Sequence, residues 1–338
     1  MESFYELDSN IIFDKIALYQ KNVLKSNFPN AYLKKSSFFS NSNNSLSTQF
    51  NGVISTNNLF KNTKYEITSN PYLIHFTSLN SLSLIFNSGY LRMSDFNCLS
   101  DKTELIYAST IFSDLDENQI KKLNKSRENL FCLSACVSSE ENLKNDFMWQ
   151  NYAQKHSGCI IEFNFEELNI SNMIFGKVHY GRRTLDLIEK CYKSAHKFKL
   201  DHNFKVDDLT TFLTKILVFH KHIKYKNEQE CRLFFQREGR FLNNSKHFYE
   251  YRDFYTDNQV RNFIKIPIKK TKLESSIELS LEKRPDLFPL INVSRVIIGP
   301  ENKEIDQTII QLIEIRKTTK INFEIWRMNE RYLLNKII

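Results

Sequence analysis

Glu228, Glu230 and Arg232 are the densest set of reactive side chains in an otherwise apolar run, Glu-Gln-Glu-Cys-Arg-Leu-Phe-Phe. Alternate residues of a strand share a face, so the spacing predicts a strand over 228–235 with two carboxylates and a guanidinium together. Cys231, Leu233 and Phe235 then press into a core on the other side. A carboxylate pair of this kind can stabilise a developing cation or take a proton. The competing reading is a salt-bridged edge strand, in which Arg232 neutralises Glu230 and the charges discourage aggregation.

Other polar residues sit in apolar surroundings upstream. His75 lies in Leu-Ile-His-Phe-Thr, at the end of a predicted strand running into a helix start, and Thr77 or Ser78 caps that helix. Free N–H groups at a helix start suit an anionic ligand, although a lone strand histidine is more often a hydrogen-bonded core residue. Ser134 interrupts the apolar run 130–137 and carries the same ambiguity. Asp101 and Glu104 have the spacing of a capping box. Trp149 and Tyr152, one helical turn apart, are either core or a flat surface on which a ring stacks. Lys224 precedes the acidic pair and could meet an anion.

The positions of seven glycines leave no Gly-rich phosphate loop and no nucleophile elbow, which sets aside dinucleotide-fold, P-loop and α/β-hydrolase chemistry. Six cysteines are scattered without metal-ligand spacing, so they read as buried thiols and no metal is expected. The formal net charge of +8 favours anionic ligands, dinucleotide or nucleic acid. A Lys-, Asn-, Ile- and Phe-rich composition yields a basic chain with no such partner just as readily. No apolar run reaches membrane-spanning length and the first residues lack a signal-peptide design, so a cytoplasmic protein with no membrane partner is expected.

These residues need elements to hold them. Helical spacing covers about 10–27, and a Ser/Asn-rich stretch from 36 to 62 reads as a linker. The expected domains are therefore residues 1–63, an N-terminal helix and linker, and a main domain over 64–338. Within it, strands are expected at 65–68, 72–76, 91–94, 130–137, 158–163, 172–180, 263–268, 293–298 and 321–326. Helices are expected at 77–89 (stopped by Gly89), 101–113, 118–124, 146–156, 185–200, 207–221 and 304–315. The stretch 246–258 reads as loop or short helix. Helices and strands intersperse without a strict βαβ rhythm, which predicts an α+β fold of mixed and antiparallel sheets flanked by helices.

The order of motifs resembles a bacterial family catalogued as a domain of unknown function, number 2971. His75-Phe-Thr with Gly89, Asp101-Lys-Thr-Glu104, Phe131-Cys-Leu-Ser134, Trp149-x-x-Tyr152 with Gly158 and Glu162-Phe163, Lys224 before Glu228-x-Glu230-x-Arg232, and Val293–Gly299 carry it across residues 70–300. Ser100 and Lys102 stand where members often have Asn and Pro. A second resemblance is to ADP-ribosyltransferases, through His75, Ser134 and Glu228-Gln-Glu230 in that order. It implies NAD as substrate, cleaved through an oxocarbenium-like state. Glu230 would hold the ribose and its developing charge, and Glu228 would orient or deprotonate the acceptor. His75 would bond the ribose or amide, Tyr152 or Trp149 would stack on the ring, and Arg232 or Lys224 would meet the diphosphate. Such enzymes act as toxins or in phage defence. The alternative is a nucleic-acid-binding module or nuclease, with Tyr225, Phe248, Tyr249, Tyr251 and Tyr255 among Lys246, His247 and Arg252.

Overall fold

The structure, a computed structural model, describes residues 2–33, 38–41, 48–51, 54–55, 58–67, 71–99, 104–105, 127–166, 173–206, 209–236, 250–254, 260–270 and 289–338. Helix α1 (Glu2–Tyr19) runs into a π-helical turn (Gln20–Lys25), followed by short strands β1 (Tyr32–Leu33), β2 (Phe38–Asn41), β3 (Thr48–Asn51) and β4 (Ile54–Ser55). Then come β5 (Leu73–Thr77), α2 (Leu79–Ser88), β6 (Tyr90–Asp95), β7 (Leu130–Val137), α3 (Glu140–Leu143), α4 (Asp146–Tyr152), β8 (Cys159–Phe165) and β9 (Met173–Lys177). The middle of the chain adds β10 (His179–Tyr180), α5 (Asp186–His202), β11 (Phe204–Val206), α6 (Leu209–Leu217) and β12 (His220–Lys221). The last part is β13 (Glu230–Gln236), β14 (Glu250–Phe254), β15 (Val260–Pro267), β16 (Ile291–Ile298), α7 (Ile305–Thr319), β17 (Glu324–Met328) and β18 (Leu334–Lys336). The fold is α+β with mixed and antiparallel sheets.

Two compact units share the chain. One gathers Met1–Glu66, Thr103–Lys125 and Val178–Ile223; the other gathers Ile67–Lys102, Ser126–Lys177 and Lys224–Ile338. The division is interleaved, where sequence alone suggested a single cut near residue 63.

In the first unit, Tyr19 and Phe28 bury against α5 and α6, with Tyr19 edge-on to Phe198 at 5.3 Å and Phe28 edge-on to Phe212 at 5.5 Å. The stretch expected to be a linker contributes β2 and β3, which pair with each other, while β3 also pairs in parallel with β11. The strand expected from Tyr65 is instead a turn, because Tyr65 is drawn inward. Its hydroxyl donates to Nε2 of the buried His220 at 2.7 Å. Thr184 Oγ1 donates to the Gly181 carbonyl at 2.7 Å and so accepts from His220 Nδ1–H at 3.0 Å. Each polar atom of this buried chain thus has one role.

The second unit is built on an eleven-stranded sheet, β14-β15-β6-β7-β5-β8-β16-β17-β18, with β13 branching onto β7 and β9 onto β13. β7 is the fork. One edge pairs with β13 along its length, from Glu230–Cys136 to Gln236–Leu130. The other edge pairs with β6 at Ser94–Cys132 and with β5 at Ile74–Cys136, so β5 and β6 part around Ser134. On one face Leu82 and Phe86 of α2 and Leu312 of α7 cluster with Leu73, Leu133 and Ile161 of the sheet. Burying side chains of this size contributes roughly 1.5–3 kcal/mol each. On the other face α4 sets Trp149 against Ile74, Phe76, Cys136, Ile160 and Ile297. Helix α2 has the ends its sequence predicts. Ser78 Oγ accepts the Ser81 N–H at 3.1 Å, and Gly89 closes it at φ +75. Residues 250–254, expected as loop or short helix, form β14 against β15. Of the helices expected at 101–113 and 118–124, only the helical pair at 104–105 falls among the described residues.

Candidate functional site

The strand expected over 228–235 starts two residues late. Ile223–Glu228 is a 3₁₀ turn, Gln229 stands at φ 46, and β13 begins at Glu230. Glu228 therefore does not share a strand face with Glu230 and Arg232. Those two do share one: their cross-strand partners on β7 are Cys136 and Ser134. Arg232 Nε lies 2.6 Å from Glu230 Oε1 and Nη2 donates to Oε2 at 3.2 Å. Both side chains are buried, 0% and 5% exposed, and the guanidinium lies 5.7 Å from the Phe96 ring centre. The Glu230 carboxylate is already neutralised inside the protein, and Arg232 has no exposed edge to offer a diphosphate. Their expected roles on substrate give way to an internal ion pair.

Glu228 stands at the end of the turn before β13. Its carboxylate Oε1 accepts from the Tyr152 hydroxyl at 2.8 Å, and that phenol side chain belongs to a residue 43% exposed. Glu228 itself is buried, so the acid lies just beneath a surface tyrosine. Three further contacts hold the turn. Cys136 Sγ reaches the Glu228 carbonyl at 3.1 Å, Asn145 Nδ2 donates to the Asn227 carbonyl at 2.7 Å, and Gln229 Nε2 donates to Glu141 Oε1 at 2.6 Å. Lys224 is exposed at the head of this turn, its ammonium 4.7 Å from the Tyr225 ring centre.

His75 does not join this group. Ile74 pairs with Cys136, which pairs with Glu230, so Ile74 carries the face of Glu230 and His75 carries the opposite one. Its ring reaches only the main chain at the fork, with Nδ1 3.4 Å from the Ser134 carbonyl oxygen. Desolvation lowers the His75 pKa, opposed by that carbonyl. The Ser134 side chain shares the Arg232 face. Strand parity thus separates His75 from Ser134 and Glu230, which the resemblance to ADP-ribosyltransferases would bring to one NAD. Trp149 is fully buried, donating from Nε1 to the Leu143 carbonyl at 2.7 Å and standing edge-on to Phe76 at 5.3 Å; it is core and cannot stack on a ligand. Thr77 is buried at the end of β5 opposite Cys159. Glu104 is buried within the first unit, and Asp101 lies outside the described residues. So do Lys246, His247, Phe248, Tyr249 and Tyr255, together with the side chains of Tyr251 and Arg252.

Two polar clusters escaped the sequence reading. Glu162, buried in β8, takes hydrogen bonds from Ser138 Oγ at 2.5 Å and Arg295 Nη2 at 2.9 Å, and Arg295 lies 4.8 Å from the Trp326 ring centre. A glutamate inside Cys-Ile-Ile-Glu-Phe was a visible signal. The second links Asp146 Oδ1 to His156 Nε2 at 2.9 Å and the Tyr332 hydroxyl at 3.0 Å. Those bonds hold Asp146 below its usual carboxylate range, while desolvation and Asp146 push Tyr332 up to about 12. Burial raises the thiols of Cys159, Cys191 and Cys231, which makes them poor nucleophiles. Among the described residues no three His, Cys, Asp or Glu side chains assemble a metal-ligand set, and no helix is long and apolar enough to cross a membrane.

Fold and turn together define an α+β protein whose candidate site is a buried glutamate under a surface tyrosine. Residues 148–233 match the family model described as "Protein of unknown function (DUF2971)". The match is narrower than the run of motifs from 70 to 300, but it begins in α4 and ends in β13, so Tyr152 and Glu228 lie near its two ends. No curated protein matches, and no solved structure matches.

Proposed function

We propose that the chain is an NAD-consuming enzyme, an ADP-ribosyltransferase or NAD glycohydrolase, with Glu228 as its working carboxylate. The observation that supports this is the Tyr152–Glu228 hydrogen bond, which keeps a buried acid one side chain away from solvent. In the reaction the bond between ribose C1′ and the nicotinamide nitrogen breaks. Its electron pair leaves with nicotinamide, and the sugar becomes oxocarbenium-like. Glu228 stabilises that cation and takes the proton of the water or acceptor hydroxyl that captures it. Tyr152 fixes the carboxylate and offers its ring to the leaving base, and Lys224 with the net charge of +8 favours the dinucleotide's phosphates. The setting proposed for such an activity is the cytoplasm, in a toxin or phage-defence role.

Nicotinamide release from NAD tests the reading. The wild type should release it, Glu228→Gln should lose about 100-fold or more in kcat, and Tyr152→Phe should fall between the two. A wild type that neither binds nor cleaves NAD ends this proposal.

A further inference from the structure

Asn145 makes two hydrogen bonds of opposite sense. Its Oδ1 accepts from the Met148 N–H at 3.3 Å and caps α4, while its Nδ2 donates to the Asn227 carbonyl at 2.7 Å. The partners fix the amide's orientation, because only the oxygen can accept from an N–H and only the nitrogen can donate to a carbonyl. Helix α4 ends at Tyr152, and Asn227 immediately precedes Glu228. One amide thus joins the start of the helix that carries the phenol to the turn that carries the carboxylate. A helix cap alone does not require this, since Ser or Asp would serve as well.

The turn shows independent signs of being held. Gln229, between the two glutamates, has φ 46, a left-handed backbone that a non-glycine residue keeps only where its surroundings over-determine it. Its side chain is tied to Glu141 of α3, the element just before Asn145. We propose that Asn145 is a positioning residue that sets the separation of Tyr152 and Glu228, with Gln229 as its second anchor. This rests on Glu228 being the working carboxylate. A misplacement near 1 Å at a reacting group costs on the order of 100-fold in rate, which is why a surface amide can matter to chemistry it does not touch.

The test uses Asn145→Asp, which keeps the size and the cap but cannot donate to Asn227, and Asn145→Ser, which keeps a cap without the added charge. 3-Fluorotyrosine placed at 152 reports the phenol's surroundings by fluorine NMR, and Glu228→Gln calibrates the response. Both Asn145 variants should melt within a few degrees of the wild type, shift the fluorine resonance as Glu228→Gln does, and lower kcat for nicotinamide release about 100-fold, with KM within about twofold. A resonance that stays at the wild-type position in both overturns the positioning role. So does undiminished kcat in an enzyme that cleaves NAD. If the resonance moves while the wild type releases no nicotinamide, the positioning of Tyr152 on Glu228 stands and the NAD reading is what fails.

Discussion

The buried Arg232 guanidinium is paired with the Glu230 carboxylate, 2.6 Å away. Removing one partner leaves an uncompensated charge in the sheet and costs about 3–5 kcal/mol, whereas replacing both with apolar residues is close to neutral. Glu230→Gln and Arg232→Met should therefore each lower the urea midpoint strongly, and Glu230→Leu with Arg232→Met should recover most of the loss. A double variant no better than the singles would mean that the pair contributes something other than mutual neutralisation. Histidine adds a pH dependence at the same scale. Desolvation, with Lys64 and His179 nearby, holds His220 well below its ordinary pKa, and burial lowers His75 as well. An unfolded histidine titrates near 6.5, so below that pH the unfolded chain binds more protons than the folded one. The stability due to the neutral rings is complete above pH 6.5 and falls as pH drops toward the folded pKa, by up to about 1.4 kcal/mol per pH unit for each ring. Denaturation at pH 7.5 and 5.5 should show that fall, and His220→Gln should make it shallower, leaving the share of His75.

At the scale of elements, two glycines fix a corner that no side chain could occupy. A Cβ on Gly299 would stand 2.1 Å from the His156 carbonyl oxygen, and one on Gly158 would stand 2.5 Å from that of Thr77. Gln154, Lys155 and His156 pass this corner with positive φ, at 51, 51 and 67. Gly299→Ala should cost about 1–3 kcal/mol, as overpacking does, read as a lower melting temperature; an unchanged one would mean the loop at 154–156 yields freely. Elements whose identity depends on local pattern were legible in the sequence. Strand β7 runs over the apolar stretch 130–137, and α2 is bounded by Ser78 and Gly89. What was not legible depends on non-local pairing or on backbone no residue type announces. A left-handed glutamine at 229 has no sequence signature, so Glu228 was read onto the wrong element. The face of His75 follows from Ile74 pairing with Cys136, 62 positions further on.

The interleaving of the two units governs the whole molecule. Residues 1–66 belong to the same compact unit as 178–223, so the stretch expected as a linker has a structural duty. Tyr19 packs at 5.3 Å from Phe198 and 5.9 Å from Phe204, Phe28 at 5.5 Å from Phe212, and Phe60 at 4.7 Å from Phe219. Truncating residues 1–63 would uncover those four phenylalanines of α5, β11, α6 and the turn that follows. Each returns roughly 1.5–3 kcal/mol of burial to water, more in sum than the margin of an ordinary domain, 5–15 kcal/mol, can safely lose. The truncated chain should bind a hydrophobic dye and aggregate, with loss of helical circular dichroism from α5 and α6. The second unit draws none of its strands from residues 1–63, so its strands β5, β7, β8 and β16 should stay protected from proteolysis. A truncated chain that stays monodisperse, dye-free and fully helical would show that the core of the first unit closes without its N-terminal stretch.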